Sequence, residues 1–387
     1  MRYIGNKNKL LPFIGAFLDD MGIETGRALD AFAGTATVGR YLKSRGMEVV
    51  ACDILSSSYI FQRAYVVTNG YPSFSGLAED SNFQLAREDE SFQQMVESRF
   101  EGQRELFDVP PAEAGVLEEV LVYLDTVLTP HAGFITKSYS APHDDQEGSR
   151  MYFTEANGRC IDMIRHQLHM WQETGSVDDD ELHLLLASLL EAADSVANTT
   201  GVYAAFIKTW QSNALRPLKL KVPTLVPSDG QMCEALQGDV NQLILKLGSF
   251  DLLYLDPPYN TRQYSAYYHV PELIAEGWFD EEPALRGKTG LVPDEHKKSR
   301  WSSRADCVSA LEELLDSADA THVLLSYNNE GIISETEIER LFKEFGLAST
   351  YQRVSRDHKR YRSASDNEAR TYRRNRVTEY LYYVQLK

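Results

Sequence analysis

Apolar and polar positions follow two different regimes along the chain. In the first, short apolar runs alternate with glycine turns and amphipathic stretches. Leu10 to Leu18 predicts a short helix, with Gly22 and Gly26 as breakers. "RALDAFAG" reads as a strand running into a glycine turn, and Val38 to Lys43 as a helix opening that stops at Gly46. "MEVVACDI" predicts a second buried strand and Tyr59 to Val67 a second helix. That alternation is the βαβ pattern of a doubly wound α/β sheet. From about Gly70 to Pro223 the regime changes to long polar-rich helical segments: Phe92 to Phe107, Glu113 to Leu128, Ala156 to Glu173 and Asp179 to Val196. Strand-like runs return in "LILKLGSFDLLYLDPPY", "ATHVLLSYNN" and "VTEYLYYVQLK". The pattern therefore predicts one sheet domain, residues 1–70 with 225–387, interrupted by a largely helical insertion over 71–224.

Composition changes this picture little. A chain of 387 residues can bury a sizeable core, and no apolar run approaches the roughly 20 residues that span a bilayer. The amino-terminal stretch lacks a secretory h-region, so a cytoplasmic protein is expected. Cys52, Cys160, Cys233 and Cys307 show no CxxC or Cys/His ligand spacing, and His131, His143, His166, His169 and His183 show none either. Reduced thiols and no metal are the expectation.

Charge sharpens it. A formal net charge of −18 argues against binding nucleic acid by overall attraction. Three basic clusters nonetheless survive: Lys208 to Lys221, Lys297 to Arg304 ("KKSRWSSR"), and Arg353 to Arg376. Together they suggest a channel for a polyanion. The last has no evident fold requirement and reads as a phosphate-contacting segment.

Two constellations carry candidate chemistry. In "DAFAGTATVG", Asp30 to Gly39, a glycine turn joins a strand to a helix N-terminus, where a ligand approaches closely; Ala36 breaks a full GxGxxG. Asp53, ending the second strand, is placed to accept from ribose hydroxyls, and turn plus distal acid favours a nucleoside cofactor. Asp239, in "LQGDVNQLI", precedes the next predicted strand and could receive an adenine amine. In "FDLLYLDPPY", Leu252 to Leu255 reads as a central strand that Pro257 and Pro258 stop abruptly. Asp256 and the Pro257 carbonyl are then two acceptors on a stiff backbone beside the Tyr259 ring. An exocyclic amine needs such acceptors to become pyramidal and attack an electrophilic methyl.

Asp256 to Tyr259, "RYIGNKNKLLPFI" and "DAFAGTATVG" resemble the D12 class of adenine-specific DNA N6-methyltransferases. "DPPYNTRQYSAYYHVPELIA", "RGKTGL", "LLSYNNEGII" and "KRYRS" resemble its FokI-type subgroup of modification methyltransferases. The likeness runs over nearly the whole chain. It implies a Rossmann-like class I methyltransferase sheet with a helical target-recognition insertion, and S-adenosylmethionine as cofactor. It also implies Tyr3 and Lys7 at the cofactor, Lys7 near its carboxylate; Asp30, Phe32 and the Ala33, Gly34, Thr35 turn at the methionine part; Asp53 on the ribose; and Asp239 at the adenine ring. Asp256, with Pro257 and Pro258, would lie between cofactor and target base, and Tyr259 would stack on a flipped adenine. "NTTGVYAAF" resembles a DNA-facing segment, which with the basic clusters gives Asn198, Thr200, Tyr203, Lys208, Lys298, Arg300, Lys359, Arg360 and Arg362 as expected DNA contacts.

The expected activity is methyl transfer to adenine N6 in double-stranded DNA, as the modification component of a bacterial or phage-borne restriction-modification system, near the nucleoid, with a separately encoded restriction endonuclease as partner. An RNA adenine or a protein amide presents a similar planar NH2, although Asp256 favours a nucleobase. A non-catalytic DNA-binding defence component is the alternative from another class.

Overall fold

The structure, a computed structural model, describes residues 1–107, 114–141, 150–228, 230–293, 295–359 and 376–387, with only the backbone described at 101–107, 358, 359 and 376. The chain folds into two compact units.

One unit comprises Tyr3–Gln62, Ser228–Tyr268 and Asp294–Lys387. It is built on a seven-stranded sheet of β1 (Arg27–Asp30), β2 (Glu48–Asp53), β3 (Glu234–Gln237), β4 (Phe250–Leu255), β5 (Ala320–Asn328), β6 (Gln352–Lys359) and β7 (Arg376–Gln385), in the spatial order β3-β2-β1-β4-β5-β7-β6. The first five strands pair in parallel; β7 runs antiparallel to both β5 and β6. Because β1 lies between β2 and β4, the winding reverses there. Such a switch point opens a crevice at the carboxyl ends of the strands.

The expected α/β class is thus the observed one. Helices α1 (Leu11–Asp20), α2 (Thr37–Ser44) and α3 (Ser56–Gln62) lie within two or three residues of their predicted starts. On β4, Leu253 and Leu255 project to one face at the two-residue strand period. There they pack with Leu29, Val50, Val323 and Leu325, beneath Leu311 and Leu314 of the helix Cys307–Ser317 and Leu341 and Phe342 of Glu335–Phe345. Each such fully buried side chain contributes about 1.5–3 kcal/mol, so β4 is firmly seated before its two prolines end it.

Three local expectations fail for identifiable reasons. "LILK" is not strand: the Asp239 carboxylate accepts from Asn241 N at 3.0 Å, capping the helix Val240–Leu243, which continues as a 3-10 turn over Ile244–Lys246. Asp239 therefore follows a strand, β3, whose half-exposed "EALQ" carries no apolar run to announce it. The start of the basic Arg353 to Arg376 run is β6, an edge strand held by β7 from Gln352↔Tyr383 to Lys359↔Arg376. Its charged side chains suit an edge.

The other unit comprises Met1–Arg2, Arg63–Pro227 and His269–Pro293. Its long helices are Glu90–Phe107, Glu155–Glu173 and Asp179–Val196. Asp178 and Glu181 form a reciprocal capping box that fixes the last start, and the Thr154 hydroxyl caps the one before it. Asp162, buried, accepts from the backbone of Gly133, Ile135 and Thr136 and so starts the helix Phe134–Tyr139. A two-residue parallel pairing, Ser140–Ala141 with Phe153–Thr154, is the strand character the periodicity does not reveal. No helix among the described residues is long and apolar enough to cross a membrane.

Candidate active site

The carboxyl edges of β1, β2 and β4 bring Asp30, Asp53 and Asp256 to one pocket, lined also by Tyr3, Lys7, Phe32, Ala33, Gly34, Thr35, Asp239, Pro258 and Tyr259. Most of the residues expected at a cofactor or a target base thus line a single cavity. Pro257, at the same edge, is buried.

The turn after β1 is tied down from β2. Ala33 N donates to the Cys52 carbonyl at 2.9 Å and Gly34 N to Asp53 Oδ2 at 2.9 Å, while Leu55 N donates to Asp53 Oδ1 at 3.0 Å. Gly34 has φ +51°, and a Cβ there would meet the Tyr3 ring at 3.0 Å, so glycine is required both by conformation and by space. Ala36 occupies the left-handed region at φ 59°, immediately before α2. The missing glycine of the GxGxxG pattern therefore leaves strain of about 1–2 kcal/mol in the loop rather than a different loop.

Asp30 is fully buried, and neither carboxylate oxygen has a hydrogen-bond partner. Burial, and secondarily the charge of Asp256, push its pKa up to about 8; the Gly39 and Phe32 N–H groups oppose the shift without full hydrogen-bond geometry.

At the DPPY turn, Lys7, only 2% exposed, places its Nζ 2.8 Å from Asp256 Oδ1 and donates also to the Gly5 carbonyl at 3.0 Å and to the Tyr259 hydroxyl. Tyr259 in turn donates to Asp256. Burial raises the Asp256 pKa, and the Lys7 charge is the largest opposing influence. Lys7, expected at a cofactor carboxylate, has its ammonium on Asp256 Oδ1 here. Tyr259 packs against Tyr327 at 5.2 Å between centroids, tilted 58°. Tyr327 holds the following turn by accepting from Ile332 N (3.0 Å) and Ile333 N (3.3 Å), and it donates to the Pro258 carbonyl at 3.4 Å. "SYNNEG" is thereby tied to DPPY, and Gly331 is glycine because a Cβ would lie 2.0 Å from the Tyr327 ring.

Several lining residues escaped the sequence reading. Asn6 donates to Thr35 Oγ1 (3.2 Å) and Thr37 Oγ1 (3.1 Å). Trp301 meets Phe32 edge-on at 4.9 Å and donates to Asn241 at 2.9 Å. Lys297, within a cluster read as a polyanion surface, is 9% exposed and reaches Ser56 Oγ at 2.9 Å. Only the apolar character of Trp301 amid basic residues hinted at this segment's burial.

The expected DNA contacts divide. Asn198 and Tyr203 are both buried, at 0% and 1% exposure. Asn198 donates to the Met151 and Ile207 carbonyls and accepts from Gln211 N, while the Tyr203 carbonyl accepts from Tyr152. They brace the "NTTGVYAAF" segment from within, leaving half-buried Thr200 and exposed Lys208 nearer its surface. Lys298 pairs with Glu295 at 2.5 Å, and Arg300 holds Glu313 through two 2.8 Å bonds. Of Lys359 only the backbone, in β6, is described; Arg360 and Arg362 lie outside the described residues, as does His143.

Comparison with known proteins agrees with this geometry. The profile of the D12 class N6 adenine-specific DNA methyltransferases matches residues 3–341. The chain is 35% identical to the type II methyltransferase M.NlaIII of Neisseria lactamica, covering 100% of this chain and 99% of that protein. It is 32% identical to the type II methyltransferase M.FokI of Planomicrobium okeanokoites over 100% of this chain but 52% of the relative, so it spans about half of that longer protein. With the type II methyltransferase M.CviAII of Paramecium bursaria Chlorella virus 1 it shares 34% identity over 70% of this chain and 75% of the relative. No solved structure matches significantly. The acids at the switch point, the DPPY turn and the family profile agree: the chain belongs to the D12 class of N6 adenine-specific DNA methyltransferases.

Proposed function

We propose that this methyltransferase uses S-adenosylmethionine to methylate N6 of an adenine flipped out of duplex DNA, as the modification component of a restriction-modification system. The observation that carries the cofactor reading is Asp30, a buried carboxylate whose oxygens lack partners inside a pocket rimmed by Asp53 and Asp239. A ligand ammonium would supply the missing partner, and the remaining donor set fits a ribose and an adenine ring.

When bound, the cofactor's sulfonium supplies an electrophilic methyl. Asp30 holds the amino group of the methionine part, the Gly34 turn gives that part room, and Asp53 accepts from the ribose. Phe32 and Trp301 wall the pocket. At the other end, the Asp256 side chain and the Pro257 carbonyl accept from the target amine, freeing its lone pair to attack, and Tyr259 stacks on the base. The Lys7 ammonium beside Asp256 favours its ionised form against burial.

Target recognition is assigned to the helical insertion, residues 71–224, and phosphate contact to Thr200, Lys208, Lys298, Arg300, Lys359, Arg360 and Arg362. Cleavage of unmodified DNA falls to a separately encoded endonuclease, in the cytoplasm of a bacterial or virus-infected cell. Incubation with labelled S-adenosylmethionine and unmethylated DNA, followed by base-resolution mapping of N6-methyladenine, tests the reading. Label that never enters DNA of any sequence overturns it.

A further inference from the structure

From Ser195 to Ser228 the sequence has no acid but four bases, Lys208, Arg216, Lys219 and Lys221, in a chain whose formal charge is −18. Past Arg216 this segment is neither helix nor strand, and among the described residues no backbone-to-backbone hydrogen bond holds it. Side chains of neighbouring helical segments hold it instead. Asn157 accepts from Leu218 N at 2.9 Å, Asp125 from Leu220 N at 3.0 Å and Ser188 Oγ from Lys221 N at 3.2 Å. Arg99 donates to the Leu220 carbonyl at 2.6 Å and Ser188 to that of Lys221 at 2.8 Å. Leu218 and Leu220 are buried, at 6% and 1% exposure, while Lys219 and Lys221 are exposed. That alternation is the two-residue period of an extended chain, so both lysines leave the same side of the strap, about 6.5 Å apart along it.

Many bases elsewhere on the surface are paired: Arg45 with Asp19, Arg63 with Asp180, Arg159 with Glu155 and Arg340 with Glu337. Arg216, Lys219 and Lys221 make no ion pair or side-chain hydrogen bond among the described residues. Asp125, which feels the charge of Lys219, is taken by Arg99 and by Leu220 N. Cations held in a row without counterions suit a partner whose own charges stand in a row. The phosphates of one DNA strand recur every ~3.4 Å of helix axis, so lysines at this spacing reach separate phosphates of the same strand. A backbone already pinned loses little further freedom when it binds.

We infer that the strap from Leu218 to Lys221, with Arg216 just before it, is a contact surface for the DNA backbone. Its cations neutralise phosphates of one strand and carry no base preference, so the strap sets grip and register while other residues read sequence. This rests on the DNA methylation reading above and adds Arg216, Lys219 and Lys221 to the phosphate contacts proposed there.

The test uses the whole chain carrying Lys219→Ser and Lys221→Ser together. A control carrying Lys246→Ser and Lys343→Ser removes the same charge from exposed lysines elsewhere. Kd is measured for short unmethylated duplexes of unrelated sequence over a range of salt concentrations, alongside Kd for S-adenosylmethionine and Tm without ligands. The strap variant is expected to bind every duplex about tenfold or more weakly at low salt, with a slope of log affinity against log salt smaller by about 1.8. Its cofactor affinity and Tm should match the parent, and the control should bind DNA as the parent does. DNA affinity within about twofold of the parent, a loss confined to one sequence, or an equal loss in the control overturns the inference. So does a lower Tm with an unchanged salt slope, which would mark a structural role. Failure of the methyl-transfer reading shows separately, as a parent that binds DNA but transfers no methyl group; the salt slopes still decide the role of the strap. A parent that binds no DNA overturns both.

Discussion

Replacing Asp30 by Asn should make the ligand-free protein more stable and at the same time weaken its cofactor binding. Asp30 is fully buried without a hydrogen-bond partner, and its pKa is about 8 against an ordinary value of 3.8. Between those values the unfolded chain has lost this proton while the folded chain keeps it. Stability due to this group is therefore fully present below about pH 3.8 and declines as pH rises, until the folded carboxyl also ionises near pH 8. Each pH unit in that window corresponds to about 1.36 kcal/mol. From pH 5 to pH 7 the parent should thus lose about 2.7 kcal/mol through Asp30 alone. Asn, an isostere of the protonated acid, loses none. At roughly 2–4 °C per kcal/mol, the variant should gain roughly 5–10 °C over the parent between the two pH values. Thermal denaturation of both proteins at pH 5, 6, 7 and 8 tests this term, because the other raised carboxyls, Asp125, Glu181, Asp256 and Glu379, are present in both. With S-adenosylmethionine added, the parent should gain in Tm and the variant much less, since the amide cannot pair with an ammonium. Equal pH slopes in the two ligand-free proteins, or a variant that melts below the parent at pH 7, would refute the reasoning.

Three further outcomes follow from the same geometry. Lys7→Met removes the largest influence lowering the Asp256 pKa, so the acid limb of the pH profile of kcat should move to higher pH; an unmoved limb would mean that Lys7 does not set that ionisation. Gly34→Ala introduces a Cβ 3.0 Å from the Tyr3 ring at φ +51°, at a cost of about 1–2 kcal/mol, and calorimetric titration should find weaker cofactor binding; undiminished affinity would count against a cofactor in this turn. Asn198→Ala strands the Met151 and Ile207 carbonyls and the Gln211 N–H, and chemical denaturation should show a loss of roughly 2–4 kcal/mol. A variant with parental stability and reduced DNA binding would instead mark Asn198 as a DNA contact.

Legibility in the sequence followed the strength of local signals. β1, β2, β4 and the capped helix Asp179–Val196 carry apolar runs or caps that tertiary packing reinforces, so periodicity and structure agree. β3 and β6 have polar, half-exposed faces, and their strand state is imposed by β2 and β7 rather than by their own residues. The site divides in the same way. Asp239 follows the polar β3, whereas Asp30, Asp53 and Asp256 are visible because each ends an apolar strand. The Lys7–Asp256 pairing is not, since 249 positions separate the partners, and one charged side chain says nothing of its mate. Asn198 and Lys297 illustrate the converse: polar residues read as surface are buried, Asn198 on the Met151 and Ile207 carbonyls and Lys297 on the Ser56 hydroxyl.

The position of β7 bears on how the protein is made. β6 precedes β7 in the chain, yet β7 pairs with both β5 and β6, and among the described residues β6 has no other neighbour in the sheet. During synthesis β6 therefore emerges before the only strand that can hold it, and β5 waits with one edge unfilled. Until residues 376–385 leave the ribosome, β5 keeps an open edge and β6 has no partner strand on either side. Conditions that slow translation between β6 and β7 should lengthen that exposure, making the yield of folded enzyme depend on a ten-residue strand.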